Sequence, residues 1–548
     1  MKLPALLLAL LLACGAAYAQ HEHHPTQKNE EAALVAGMGT WHHPVTTRSA
    51  EAQRFFDQGL RFVYAFNHDE AVRSFRRAAE LDPSLAMAHW GIAYALGPNI
   101  NLDVDPEREK AAYHAVQEAL ALSAKASPKE RDYIEALALR YTSDPQATPE
   151  TLRHLAENFS RAMGSLSQKY PADLDAATLY AESMMNLRPW RLWEKDGTPA
   201  EGTNEIVSTL ESVLRRNPNH VGAIHYYIHA VEASPDPGRA LRYAPRLGRL
   251  MPAAGHIVHM PAHIYQRTGD YAAAAGSNEA AAAADRAYIR ASGVQGIYPL
   301  MYYSHNLHFL AVAYSFSGRS ADALRSARQL ETNVAPHLKA MPMLEGFNTT
   351  STLVLVRFRR WDEVLKTPEP PAEQAATRAV WTWARGMVFA AQGKTDEAEA
   401  ALKSFSAAVQ LIPADAQFGL NKANDILKIA ERMLAARISV ARGERGRAVE
   451  LLREAVATED GLVYDEPPAW FLPARETLGA VLLADGRAAE AETVFREDLK
   501  HNPRSGRSLF GLAKSLEAQR KTGAAALARR QFAAAWKNAD TRLTVADL

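Results

Sequence analysis

The sequence predicts an all-α fold, a superhelical solenoid built from helix–turn–helix units, and three observations carry that prediction. Past residue 50, apolar residues recur at three- and four-residue spacing, Ala is abundant, and no alternating β-branched runs appear. The helix–turn–helix pattern repeats with a period of about 34 residues. Gly, Pro and Asn punctuate it where turns are needed. A chain of 548 residues also exceeds what one compact core supports, which favours several domains or an elongated array.

The clearest unit runs from Phe55 to Pro83. Gly59 and Phe62 lie on its first helix, Phe66-Asn67-His68 makes the turn, and Ala71, Phe75 and Ala78 mark the second helix. Small residues let the two helices approach, aromatics fill the gaps, and Pro83 ends the unit because it cannot extend a helix. Leu85–Leu122 holds a second unit, with an inserted Gly97-Pro98-Asn99 turn and a loop around Asp103–Pro106. Helical stretches around 128–170 end at Tyr170-Pro171. The unit that begins at Leu174 is interrupted by the insertion Arg188–Pro199 and closes at Asn217-Pro218. Val221–Pro252, Gly255–Ala291, Leu300–Val334 and Met341–Lys366 give four more. Thr367–Pro371 contains three prolines and reads as a linker. Further units lie at about 375–411, 425–457, 469–500 and 504–536, with Gly393, Gly443 and Gly486 at three of their turns.

This unit resembles the tetratricopeptide repeat (TPR), and the resemblance covers most of residues 51–540. The whole chain is also similar to a group of exported bacterial TPR proteins through the phrases FNHDEAVRSF, AHWGIAYALGPN, HMPAHIY and YDEPPAWFLPARETLG. The resemblance implies a superhelical fold with a concave binding groove, and it implies no chemistry. The expected organisation is an export signal at 1–19, a His-containing segment at 20–50, a first array at 51–366, a linker at 367–374 and a second array at 375–548.

Lys plus Arg and Asp plus Glu both number 62, so the net charge is zero. That balance speaks against a nucleic-acid partner, which needs a cationic excess or stripe. The one Cys excludes a disulfide framework, a Cys-based zinc finger and a Cys-ligated iron–sulfur cluster. It lies within an N-terminal segment that reads as an export signal: Lys2, the apolar run Leu3–Ala13, then Ala17-Tyr18-Ala19, which would leave Gln20 first and the protein periplasmic or secreted. Leu11-Leu12-Ala13-Cys14 also resembles a bacterial lipobox. Anchoring at Cys14 is therefore the alternative, and only then is a membrane a partner. The tracts Gln20–Pro25 and Trp41-His42-His43-Pro44 are either divalent-metal captors or a plain polar leader.

The histidines are concentrated. Eight of 19 lie between His220 and His308. In a TPR unit, first-helix positions 2, 5, 9, 12 and 13 face the groove, as the resemblance implies. With Pro218 at position 32, His225 falls at 5 and His229 at 9. With Pro252 at 32, His256, His259 and His263 fall at 2, 5 and 9, and Gly269 opens the turn at 15. Counting back from Gly318 at 15 puts His305 at 2 and His308 at 5. These seven map to the groove, where residues four apart share one face of a helix and neighbouring helices lie about 8–10 Å apart. They can form one centre or two close ones. Imidazole suits zinc and copper alike, so both metals are expected candidates. A polar peptide groove and pH sensing are the competing readings. Metal binding requires at least three rings to approach a common point within about 5 Å, and splayed rings favour the scaffold.

Other motifs are weaker. There is no H-E-x-x-H zincin motif, G-x-S-x-G elbow, Walker loop or Rossmann fingerprint. Asp175 and Glu182 map to groove positions 2 and 9 of the preceding unit, and Glu232 to position 12 beside His229. Glu182 or Glu232 is a candidate general base if the centre is catalytic. Trp90 and Tyr94 map to positions 5 and 9, as a ligand wall or a contact for the N-terminal segment. Tyr302 and Tyr303 are second-layer candidates or helix-start packing. Tyr464–Trp470 interrupts the repeat, as a loop that docks between repeats or as a functional loop, with Arg475 as a partner for Asp465 or Glu466. Two functional readings follow. One is an exported repeat protein that binds copper or zinc in its groove, as a metal store or as a catalytic centre acting on a peptide, protein or small molecule held there. The other is a metal-free interaction scaffold in the cell envelope.

Overall fold

A computed structural model describes residues 32–548, so the expected export signal and the His21–His24 tract lie outside the described residues. Helix pairs follow one another along the chain: Ala50–Tyr64 with His68–Leu81, Ala86–Leu96 with Pro106–Leu122, and so on to Gly506–Ala518 with Thr522–Ala535. Each pair packs on the next, giving the TPR-like all-α solenoid that the periodicity predicts. The strand structure among the described residues is a minimal hairpin, Gln417–Phe418 against Asn421–Lys422.

Local chemistry sets the ends of these helices. Ser49, Asn67, Asp105, Ser127, Thr148 and Asp173 each accept a hydrogen bond from a first-turn amide, a cap worth about 1 kcal/mol. Helix contact depends on missing side chains. A Cβ on Gly59 or Gly91 would lie 2.6 or 2.5 Å from the ring of Phe75, which is fully buried between the two first helices.

Two departures from the expected pattern bear on the groove. The second helix of Val221–Pro252 is broken into the short turns Pro237–Arg242, Ala244–Arg246 and Leu247–Leu250, because Pro237 and Pro245 lack amide donors. The next first helix is interrupted between Gly255–His259 and Pro261–Thr268. Met260 keeps helical angles (φ −50°, ψ −36°), so His259 and His263 still share a face.

The segment 367–374 holds no helix, as its prolines require, yet the apolar cluster from Ala262 to Leu548 continues across it. The solenoid also returns on itself. Lys195 bonds the Gly461 carbonyl, Asp540 accepts from the Ser320 amide, and Tyr464 reaches Glu232. Arg475 does not pair with Asp465 or Glu466 as the sequence suggests. It makes a two-pronged pair with Asp460 at 2.7 Å, on the preceding helix end.

Candidate metal centre

Six of the seven groove histidines come together, in two triads. His225, His229 and His256 form one, and His259, His263 and His305 form the other, with the ligand atoms of each triad within 4.8 Å of one another. The distance criterion for a metal-holding cluster is met. His308 stands apart between Phe347 and Phe471, and burial lowers it to about 4.

The triads follow a rule within the repeat. Each takes positions 5 and 9 of one unit and position 2 of the next. Position 5 of the following unit is His308, but its position 9 is Val312, so the series stops there. In the unit before, positions 5 and 9 are Thr178 and Glu182. Two consecutive copies of one pattern therefore make two adjacent sites.

The rings converge through one kind of atom. His225 Nε2 lies 3.1 Å from both His229 Nε2 and His256 Nε2. His259 Nε2 lies 2.8 Å from His263 Nε2 and 3.2 Å from His305 Nε2. The opposite nitrogens explain why these face inward. His225 Nδ1 is 2.7 Å from the Tyr64 carbonyl, which can only accept. His259 Nδ1 is 2.7 Å from Asn278 Oδ1, and the Asn278 amide is fixed in that sense by donating to the Ala274 carbonyl. His229 and His263 turn Nδ1 to the two oxygens of Glu232, at 2.7 and 2.6 Å. Four rings thus carry their proton on Nδ1 and present the Nε2 lone pair to the centre. Lone pairs about 3 Å apart repel unless a cation sits among them. Three nitrogens around a tetrahedral ion at about 2.0–2.1 Å stand about 3.3 Å apart, so the close pairs that His225 and His259 make need open only by a few tenths of an ångström.

Five of the six rings are pushed towards the neutral form and one is not. Burial pushes His225, His256, His259 and His305 well below the ordinary value, and the neighbouring rings add to it. Burial lowers His229 too, against the opposing bond to Glu232. At His263 burial is outweighed by Glu232, and the ring is raised. Glu232 is itself held low: burial opposes its charge, but the two imidazoles overcome that.

Both Glu232 oxygens are thus committed to ring N–H groups, which makes the residue a positioning group for both triads. Glu182 lies in a separate network. It accepts from Tyr94 at 2.5 Å and from Asn186 at 2.6 Å, and burial raises its carboxyl.

Several neighbours were not legible as site residues. Phe66 packs 4.5, 5.9 and 5.6 Å from the rings of His225, His229 and His256, and Phe309 lies 5.0, 5.1 and 5.7 Å from His259, His263 and His305. Phe66 occupies repeat position 15, where later units carry Gly269 and Gly318, and it adopts φ 55°. A left-handed non-Gly residue costs about 1 kcal/mol. A Phe at a glycine position was the signal available. Trp190, from the insertion, lies edge-on to His229 at 5.4 Å. Tyr302, which the sequence does offer as a second-layer candidate, lies against His256 at 5.0 Å. Tyr464 lies 3.0 Å from both Glu232 and Glu466. Burial raises Glu466 to about 7, and its second oxygen has no hydrogen-bond partner.

A third group, His43, Asp173 and Asp175, has similar spacing. It is saturated with donors. Asp175 accepts from His43 at 2.7 Å, Trp41 at 3.0 Å and the Tyr64 hydroxyl, with His220 Nε2 at 3.2 Å. The second His tract is therefore a docked strap, and the Trp41 ring lies tilted against His220 at 4.1 Å.

No family model matches the chain, and no curated protein matches it. Among solved structures, Ypp1 is 9% identical, with 88% of each chain covered and a TM-score of 0.41. The human IFIT1 dimer with m7Gppp-AAAA is 12% identical over 91% of this chain and 92% of that one, at 0.34. The P58(IPK) TPR domain is 12% identical over 86% and 99%, at 0.21. Overlaps this loose carry no argument about function.

Proposed function

We propose that this TPR-like protein binds a transition metal, copper or zinc, in its concave groove, one ion to each histidine triad. The observation that supports this reading is the orientation of the rings: the Nε2 atoms converge in threes, with Nδ1 of His225, His229, His259 and His263 each committed to an acceptor. Three imidazoles leave a fourth tetrahedral position open for a further ligand, as in catalytic zinc sites. His225, His229, His256, His259, His263 and His305 are the ligands. A peptide, protein or small molecule is the groove ligand in this reading. Export completes it, with cleavage before Gln20 and lipid attachment at Cys14 as the alternative; N-terminal sequencing and mass of the mature chain separate the two.

The test is elemental analysis of full-length protein purified without a His-tag. Near-stoichiometric copper or zinc is expected, with loss of metal when His259 and His263 are both replaced by Ala. Metal-free protein with an intact fold, unable to take up either ion, overturns the reading and leaves the interaction scaffold.

A further inference from the structure

The geometry points to more than two separate ion sites: the triads form a single dinuclear copper centre whose exogenous ligand is dioxygen. This rests on the metal-binding reading above and goes beyond it in naming the metal, the coupling and the ligand.

The first ground is equivalence. Each triad has one ring bonded to a neutral oxygen, His225 to Tyr64 and His259 to Asn278. Each has one ring bonded to Glu232, His229 on one side and His263 on the other. Each has a third ring from the next repeat, His256 or His305, and one phenylalanine wall, Phe66 or Phe309. The triads are also in contact, with ring centroids 5.7 Å apart for His229 and His263 and 5.9 Å for His256 and His259. One carboxylate orients a ligand of both, so the sites share an outer layer.

The second ground is charge. All six ligand rings are neutral when metal-bound, and no carboxylate lies among the ligand atoms of either triad. Two zinc ions would place four positive charges in a buried site against the carboxylates of Glu232 and Glu466, which share the Tyr464 hydroxyl, and zinc has no lower oxidation state. Like charges in so enclosed a place repel strongly. Two copper(I) ions halve the load. Imidazole serves copper and zinc alike, so charge decides between them, and the apolar Phe66 and Phe309 walls suit the lower charge.

The third ground is what keeps the charge constant. Dioxygen is neutral and small, and the Phe66 and Phe309 rings are the apolar walls offered to it. On binding between the two metals, each copper(I) gives up one electron and becomes copper(II). Dioxygen takes both electrons and becomes the bridging dianion, its oxygen–oxygen bond reduced to single order. No proton moves and no other reagent is consumed. The two charges gained by the metals equal the two carried by the dianion, so the buried site keeps the same total charge before and after.

The experiment uses the metal-stripped, untagged full chain, loaded without air with two equivalents of copper(I) and then exposed to dioxygen. The expected result is two coppers per chain, a new near-ultraviolet charge-transfer band on oxygenation, and a copper(II) electron-spin signal accounting for only a few per cent of the copper. Two coppers bound, with no band and a full spin count, overturn the coupled pair while metal binding stands. So do a single copper per chain and a native preparation carrying two zinc ions. Failure to bind either metal sinks the underlying reading as well. His305→Ala removes a ligand from the more open edge of the centre. It should keep one copper, lose the band, and show one full copper(II) spin after oxidation; persistence of the band in this variant, with its helical signal unchanged, also overturns the pair.

Discussion

The paired triads and the Asp175 cluster are both buried, both rich in histidine, and both spaced like metal sites, yet they are built to opposite ends. Around Asp175 every close approach matches a donor with an acceptor: imidazole, indole and phenol all point at one carboxylate. In the triads, lone pair faces lone pair, because each proton of His225, His229, His259 and His263 is drawn to the far side of its ring. Saturation makes a structural joint. Convergent unsatisfied acceptors make a cation site. The lesson is that proximity of histidines and carboxylates says little until the tautomers are assigned.

The largest expected effect separates the two clusters by composition. Replacing both His225 and His259 with Ala should take bound metal from two ions per chain to near zero, measured by elemental analysis, while Asp175→Ala should leave metal content unchanged. Metal lost from the Asp175 variant while it remains folded would break the contrast.

The next effect is on stability. Asp175 is 5% exposed and is the common acceptor for the N-terminal strap. Removing it strands a buried imidazole, an indole and a phenol, and breaking such a buried pair costs about 3–5 kcal/mol. Chemical denaturation should read this as a lowered midpoint.

A smaller effect per group is expected from pH. His68 and His308 are held at about 4 by burial, with Arg108 assisting at His68, against 6.5 for an exposed imidazole. Neither lies in a triad. The unfolded chain takes up protons at these sites where the folded chain does not, so stability is full above about pH 6.5 and falls as pH drops from there towards 4. At pH 5 the loss is about 2 kcal/mol for each group. Denaturation midpoints at pH 7 and pH 5, repeated with His308→Gln, check the sign; equal midpoints in the parent protein would contradict it.

The smallest effect tests the return of the solenoid onto the centre. Tyr464→Phe removes one hydrogen bond to the Glu232 carboxylate, worth about 1.5 kcal/mol where the acceptor is charged. Both metals should stay bound, because His229 and His263 still fix Glu232. Loss of a full equivalent of metal would mean that the loop, rather than the repeat, holds the site together.

How much could be read in advance follows from where the information lies. The 34-residue recurrence, the capping residues and the turn glycines are local, and they predict the paired helices correctly. The register of His225 to His305 is also local, since position in a repeat determines which face a side chain occupies. His308 shares that register and still misses the centre, because its own unit has Val312 where a second imidazole is required. Arg475 was matched to nearby carboxylates by sequence distance, and the fold chose Asp460 instead.

The fold class and the shared register of the histidines were therefore legible in the chain alone, because helical periodicity is a property of neighbours in the chain. Tertiary structure alone decided the division of the histidines into two threes, the sharing of Glu232 between them and the approach of Tyr464 from 232 residues away. Those depend on which nitrogen of each ring finds an acceptor. Such acceptors as the Tyr64 carbonyl and the Asn278 amide carry no mark in the sequence until packing brings them to the ring.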